Sequence, residues 1–150
     1  MRFLLTLFLW LVLDRVSKLV IINNFTLGDS ITIIPGIFNL TFIQNQGAAF
    51  GILQGKLWFF IWAAFLVIGL ICYYNILYKP AVFMQYMSGL IVAGALGNLI
   101  DRIFYNGVID FLSFGWFPIF NVADIGIVAG SMGFLVYVLF LDGGNNINAN

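Results

Sequence analysis

Residues 57–78 read LWFFIWAAFLVIGLICYYNILY, from Leu57 to Tyr78, without a single charge, and Lys79-Pro80 follows directly. A bilayer core about 30 Å thick needs roughly 20 apolar helical residues. Proline cannot continue a helix, and the residue before it is disfavoured there. This stretch is therefore long enough to cross a membrane, and its stop signal is built in. Outward from it, residues 82–104 give a second apolar helix, starting at Val82, and residues 121–141 another, ending before Asp142. Residues 3–22, Phe3 to Ile22, give a fourth. Arg2 ahead of that run has the look of a signal peptide. No small-residue cleavage site follows it, and the chain continues as Asp14-Arg15-Val16-Ser17-Lys18, so it reads as a retained helix with charges in its second half.

Residues 24–55 do not read as a span. Gly28, Pro35, Gly36 and Gly47 punctuate them, and the runs Ile31–Ile34 and Phe38–Ile43 are β-branched and aromatic. The expected fold is an all-α membrane protein with four transmembrane helices and a small extracytoplasmic β-rich platform, forming one domain over 1–150. Residues 105–120 are expected as an outer loop that dips into the interface through Phe111, Leu112, Phe114, Trp116, Phe117 and Phe120. Residues 142–150 form a polar tail. Four spans put both termini on one side. Arg2 and Lys79 share that side and Lys56 lies opposite, so the termini are expected in the cytoplasm and the platform outside.

Composition agrees with a lipid-embedded chain. Of the 150 residues, 63% are hydrophobic and 8% charged, against roughly 25% charged in soluble domains. Net charge is zero, and six scattered cations make no basic patch, which argues against nucleic-acid binding. There is no His, which excludes His triads and His metal sites. One cysteine, Cys72, forbids an internal disulfide and any multi-cysteine metal site. There is no Glu either. Acid–base chemistry would therefore fall to Asp14, Asp29, Asp101, Asp110, Asp124 and Asp142.

Ionisable groups within spans are costly, and so are candidates for function. Asp14 and Lys18 stand four apart on one helix face. They read either as a neutralised structural pair or as a pair that also positions a site. Ser17-Lys18 does not suit a Ser/Lys protease, because adjacent helix residues point about 100° apart. Asn98, Asp101 and Arg102 share a face, with Asp101 expected to support Arg102. Gly89, Ala93 and Gly97 recur every four residues, the spacing of closely packed membrane helices. Asp110 is either a solvated loop acid or one carried into the membrane interface by its aromatic neighbours. Asn121 and Asp124 have capping-box spacing at a helix start. That role does not exclude catalysis, because a helix start also stabilises a carboxylate.

These clusters resemble the bacterial lipoprotein signal peptidase (signal peptidase II) family. Asp14-Arg15-Val16-Ser17-Lys18 is similar to its D-x-x-[ST]-K block, and Asn45-Gln46-Gly47-Ala48-Ala49-Phe50 to N-x-G-x-[AS]-F. Gly94–Arg102 with Gly107-Val108-Ile109-Asp110-Phe111 is similar to G-A-x-G-N-x-x-D-R-x-x-x-G-x-V-x-D-F, and Phe120–Asp124 to F-N-x-A-D. The four blocks follow in order along nearly the whole chain. Two departures are mild: Ala93 stands where many members have glycine, and the stretch between Asp110 and Asp124 is short.

The resemblance implies an intramembrane aspartic endopeptidase with Asp110 and Asp124 as its catalytic dyad. It assigns Asp14, Asn45, Gly47, Asn98, Arg102, Asn121 and Ala123 to a supporting and substrate-binding shell, and makes Lys18 and Asp101 either structural or supports of that shell. It implies diacylglyceryl-modified prolipoproteins as substrates, cut just before the lipidated cysteine, membrane lipid as surroundings, and inhibition by globomycin-type compounds. It also implies a monomer in the bacterial inner membrane without metal or cofactor. A rival reading from the residues alone is a small proton-coupled exporter centred on Asp14; another is a structural assembly subunit.

Overall fold

A computed structural model of the chain describes residues 1–47 and 52–141. Ala48, Ala49 and Phe50 of the second motif, and the tail with Asp142, lie outside the described residues. The elements run α1 (Arg2–Asn24), β1 (Ser30–Ile34), β2 (Phe38–Asn45), α2 (Leu57–Tyr78), α3 (Val82–Tyr105), β3 (Val108–Ser113) and α4 (Val122–Val136), which continues as a π-helical turn, Tyr137–Leu141. The chain is mostly helical, with a small sheet. Among the described residues three helices, α2, α3 and α4 with its extension to Phe140, are long and apolar enough to cross a membrane. Helix α1 is as long but carries Asp14, Arg15 and Lys18.

Burial is inverted relative to a soluble protein. Helix α1 buries Asp14, Lys18 and Ile21, spaced four and three apart on one face, while Leu4, Leu5, Phe8, Leu9 and Leu13 are exposed. Leucine exposed to hydrocarbon costs nothing, whereas a charge there must find a partner inside the bundle.

Helix α3 is the central element, packed against α1, α2 and α4. Its small residues set two close crossings. A Cβ on Gly89 would sit 2.8 Å from Thr6 Cβ and 2.9 Å from Phe3 O of α1. A Cβ on Gly94 would strike the Ala123 carbonyl oxygen at the start of α4, and one on Gly97 would strike the Asp14 carboxylate. The expected Gly89/Ala93/Gly97 stripe is thus a packing face, and Gly94 adds a second one toward α4. From α4, Gly130 returns the contact, with room only for hydrogen against Met87 O.

The sheet order is β1-β2-β3, all antiparallel. The expected outer loop 105–120 is therefore partly a strand, and the platform draws its third strand from beyond α3. The physical reason is visible in Val108-Ile109-Asp110-Phe111-Leu112. Ile109 and Phe111 pack with Ile21 of α1 on one face. Val108 and Asp110 point the other way, as alternation requires. Beyond the strand Phe114, Trp116 and Phe117 are exposed, Trp116 at 90%, while Phe120 is half-buried.

Candidate active site

Asp110 and Asp124 reach one site from different elements. Asp110 is on β3 and 2% exposed. Asn45 pairs with Val108 across the sheet and Ile43 with Asp110, so Asn45 is the diagonal neighbour of Asp110 on the same face. Its Nδ2 donates to Asp110 Oδ2 at 3.0 Å, while its Oδ1 accepts from Gly47 N at 2.9 Å.

Asp124 lies in the first turn of α4. The expected capping box is formed: Asn121 Oδ1 accepts from Asp124 N at 2.9 Å, and Asp124 Oδ2 accepts from Asn121 N at 3.2 Å. The shorter Asp does the work usually given to Glu or Gln. Its other oxygen, Oδ1, accepts from Asn98 Nδ2 at 2.7 Å. One side chain links the two acids. Asn121 Nδ2 donates to Asp110 Oδ1 at 2.7 Å and also lies near Asn98 Oδ1 (3.1 Å) and Ile109 O (3.2 Å). Capping and site-building are the same set of bonds here.

Beneath this layer lie four charges. Lys18 is 0% exposed, and its ammonium meets Asp14 Oδ2 at 3.0 Å, Asp101 Oδ2 at 2.7 Å and Asn98 Oδ1 at 3.1 Å, one acceptor for each proton. Arg15 Nη2 closes on Asp101 Oδ1 at 2.6 Å. Two acids face two bases, so the buried group is neutral overall. Each acid also positions a catalytic candidate through the backbone. Asp14 Oδ1 accepts from Ala123 N at 2.9 Å and so caps α4 from across the bundle, one residue before Asp124. Asp101 Oδ2 accepts from Ile109 N at 3.2 Å, one residue before Asp110.

Asp101 makes no direct ion pair with Arg102 and favours its charge only through space, after Asp124 and Asp110. Successive helix residues diverge, and Asp101 turns toward α1. Arg102 Nη1 reaches Asn98 O at 3.5 Å, and its guanidinium lies 4.8 Å from the centre of the Phe60 ring. Asp29 is exposed and accepts from Thr26 N and Oγ1 in a turn of its own, away from the site.

The dyad candidates, Asn45, Asn98 and Arg102 line one cleft of about 510 Å³. Val108, Phe120, Ile125 and Val128 make its walls apolar. Burial in these surroundings, with the charge of Asp124 nearby, pushes Asp110 up to about 7. The Asn45 and Asn121 amides and the Lys18 charge pull the other way. A carboxyl poised near neutrality beside a second carboxyl can hold a proton that the pair shares.

Sequence reasoning passed over Arg15, Trp10 and Phe60. Trp10 Nε1 donates to Val122 O at 3.1 Å and braces the start of α4. Arg15 had a signal in being a cation within a span. Trp10 and Phe60 had none, since aromatic residues abound in this chain.

Comparisons with known proteins give a consistent picture. The family described as signal peptidase (SPase) II matches residues 6–140. A lipoprotein signal peptidase of Syntrophomonas wolfei is 47% identical over 143 residues, covering 95% of each chain. One of Clostridioides difficile is 40% identical over 144 residues, covering 95% of this chain and 97% of its own. Among solved structures, a bacterial membrane enzyme determined by the in meso method at 2.3 Å resolution superposes with a TM-score of 0.89 at 34% identity, covering 99% of this chain and 93% of its own.

Proposed function

Because the chain belongs to the signal peptidase II family and so removes signal peptides from prolipoproteins, we propose that it cuts with Asp110 and Asp124 sharing one proton. The observation that carries this reading is the Asn121 side chain. It bonds the carboxylate of Asp110 at 2.7 Å and the backbone of Asp124 at 2.9 Å, and both acids line one cleft. The ionised acid takes a proton from water, which attacks the scissile carbonyl. The protonated acid donates to the carbonyl oxygen, and later gives its proton to the leaving amine.

The supporting residues have distinct tasks. Asn45 and Asn98 each donate to one catalytic carboxylate, which fixes its rotamer and favours its charged form. Asp14 and Asp101, neutralised by Lys18 and Arg15, hold the backbone one residue upstream of each catalytic acid. Gly97 leaves space for Asp14, and Ala123 presents the N–H that Asp14 accepts. Arg102 presents a cation at the cleft, suited to ester or peptide carbonyls of the substrate. Asp14, already committed to Lys18 and Ala123, is poorly placed to carry protons for transport.

The chain is a membrane protein of the bacterial inner membrane. In our reading α1 is a fourth span, because the charges in its interior, Asp14, Arg15 and Lys18, pair within the bundle. The termini then lie in the cytoplasm with Arg2 and Lys79, and the sheet and dyad lie at the outer face, where a lipid-anchored substrate presents its cleavage point. A monomer contains every residue this chemistry uses, and globomycin-type inhibitors would fit the apolar cleft. The test uses purified protein and a fluorescent diacylglyceryl lipobox peptide. Asp110→Asn and Asp124→Asn should each lower turnover by at least about a thousandfold while inserting normally. Cleavage by either variant near the wild-type rate would remove the dyad.

A further inference from the structure

A second cavity lies beside the dyad's cleft. A pocket of about 360 Å³ adjoins it, and Asn45, Pro118 and Ile119 line both. The two differ in chemistry. The cleft is walled by aliphatic and aromatic side chains, whereas Gln44, Gln46 and Gln54 face the second pocket. Asn45 stands between them with its Nδ2 on Asp110 Oδ2, so the polar pocket begins one side chain from the reacting centre.

Gly47 shows how this pocket is built. A Cβ there would lie 2.8 Å from Ile52 O, 3.3 Å from Gln54 Cγ and 3.4 Å from Gln54 N. Residues 52–54 thus pack on the end of β2 at a distance that only glycine allows, which brings Gln54 beside Gln46. The Gln44 amide is already engaged with Tyr105 O. Gln46 and Gln54 are exposed, each with one amide donor group and one acceptor.

A lipidated precursor brings three things to the cut: acyl chains, an apolar peptide upstream, and a hydrated polypeptide downstream. The first two suit the apolar cleft. The third carries backbone N–H and C=O groups that need partners wherever water is displaced. This inference rests on the peptidase reading above. We propose that the glutamine-lined pocket is the subsite for the polypeptide just downstream of the cleaved bond, with Gln46 and Gln54 bonding its backbone.

Three lipopeptides test it with the purified full-length protein. One ends as an amide at the lipidated cysteine, one extends it by Ser-Gly-Ser, and one carries the same extension N-methylated at each amide. In the wild type the plain extension should raise kcat/KM about fivefold over the truncated peptide, as one or two net hydrogen bonds would, and N-methylation should cancel the gain. In Gln46→Leu/Gln54→Leu the ratio of extended to truncated should fall to near one, a ratio within one protein that is independent of how much of it folds. A wild-type ratio of one, a gain that survives N-methylation, or an undiminished ratio in the double variant each overturns the subsite. Failure of the wild type to cut any of the three would count instead against the peptidase reading.

Discussion

Helices α2 and α3 are close in length, and each is apolar enough to cross a bilayer, yet they do opposite work. Helix α2 buries Ile61 alone and presents Trp58, Trp62, Leu66 and Ile76 outward. Helix α3 buries twelve residues, among them Ser88, Asn98 and Asp101, and its glycines let two neighbours approach. In lipid, apolar surface does not drive helices together; close packing and satisfied polar groups do. The helix with the purest apolar sequence is therefore the one with the least to hold, and the mixed sequence marks the element around which the site is assembled.

That contrast can be broken by substitution. The largest effect belongs beneath the site. Lys18→Met leaves Asp14 and Asp101 buried without their shared cation, and should cost about 3–5 kcal/mol, read as the loss of folded protein in detergent denaturation. Arg15→Gln removes a partner that is 22% exposed from Asp101, which keeps Lys18, and should cost about 1 kcal/mol, with Arg15→Lys restoring most of it in the same assay. Smallest of all, Leu66→Val on the outer face of α2 should stay within about 0.5 kcal/mol. An α2 substitution as damaging as Lys18→Met would erase the distinction between the two helices.

Acidity sharpens the same picture. Asp110 is raised to about 7 from an ordinary value of 3.8, so the folded state holds its proton more tightly than the unfolded chain. Its contribution to stability is greatest below about pH 4 and declines as pH rises toward 7. Asp110→Asn should flatten that decline in denaturation measured across pH 4–7. Activity should fall as pH climbs past about 7 and the shared proton is lost. Asn45→Leu removes an amide that favours the charged form, and should move this alkaline limb of the rate profile to higher pH.

Much of this was legible in the sequence. Three of the expected spans, at α2, α3 and α4, declared themselves by length, and Asn121 with Asp124 by capping distance, because both are local patterns. Asp110 and Asp124 could be singled out as a pair only through motif resemblance. Composition and spacing leave Asp110 undecided between a solvated loop and the membrane interface, and its burial follows only from the sheet it joins. What stayed hidden was tertiary. Residues 108–113 alternate like a strand, but the partner that makes them one is β2, more than sixty positions away. Asp101 was matched to Arg102, its neighbour in sequence, when its partners are Arg15 and Lys18 on another helix. Adjacency along a helix is a poor guide to contact, and nothing in one sequence says which face meets which.

The bond from Asp14 to the Ala123 amide ties the first helix to the last. Ribosomes deliver α1 early and α4 late, so Asp14 waits through most of synthesis for the backbone it will steady. Asp124 arrives with that same segment. With Asp110 and Asp124 as the proposed dyad, a growing chain accordingly lacks a competent site until its last helix is made and docks on the first.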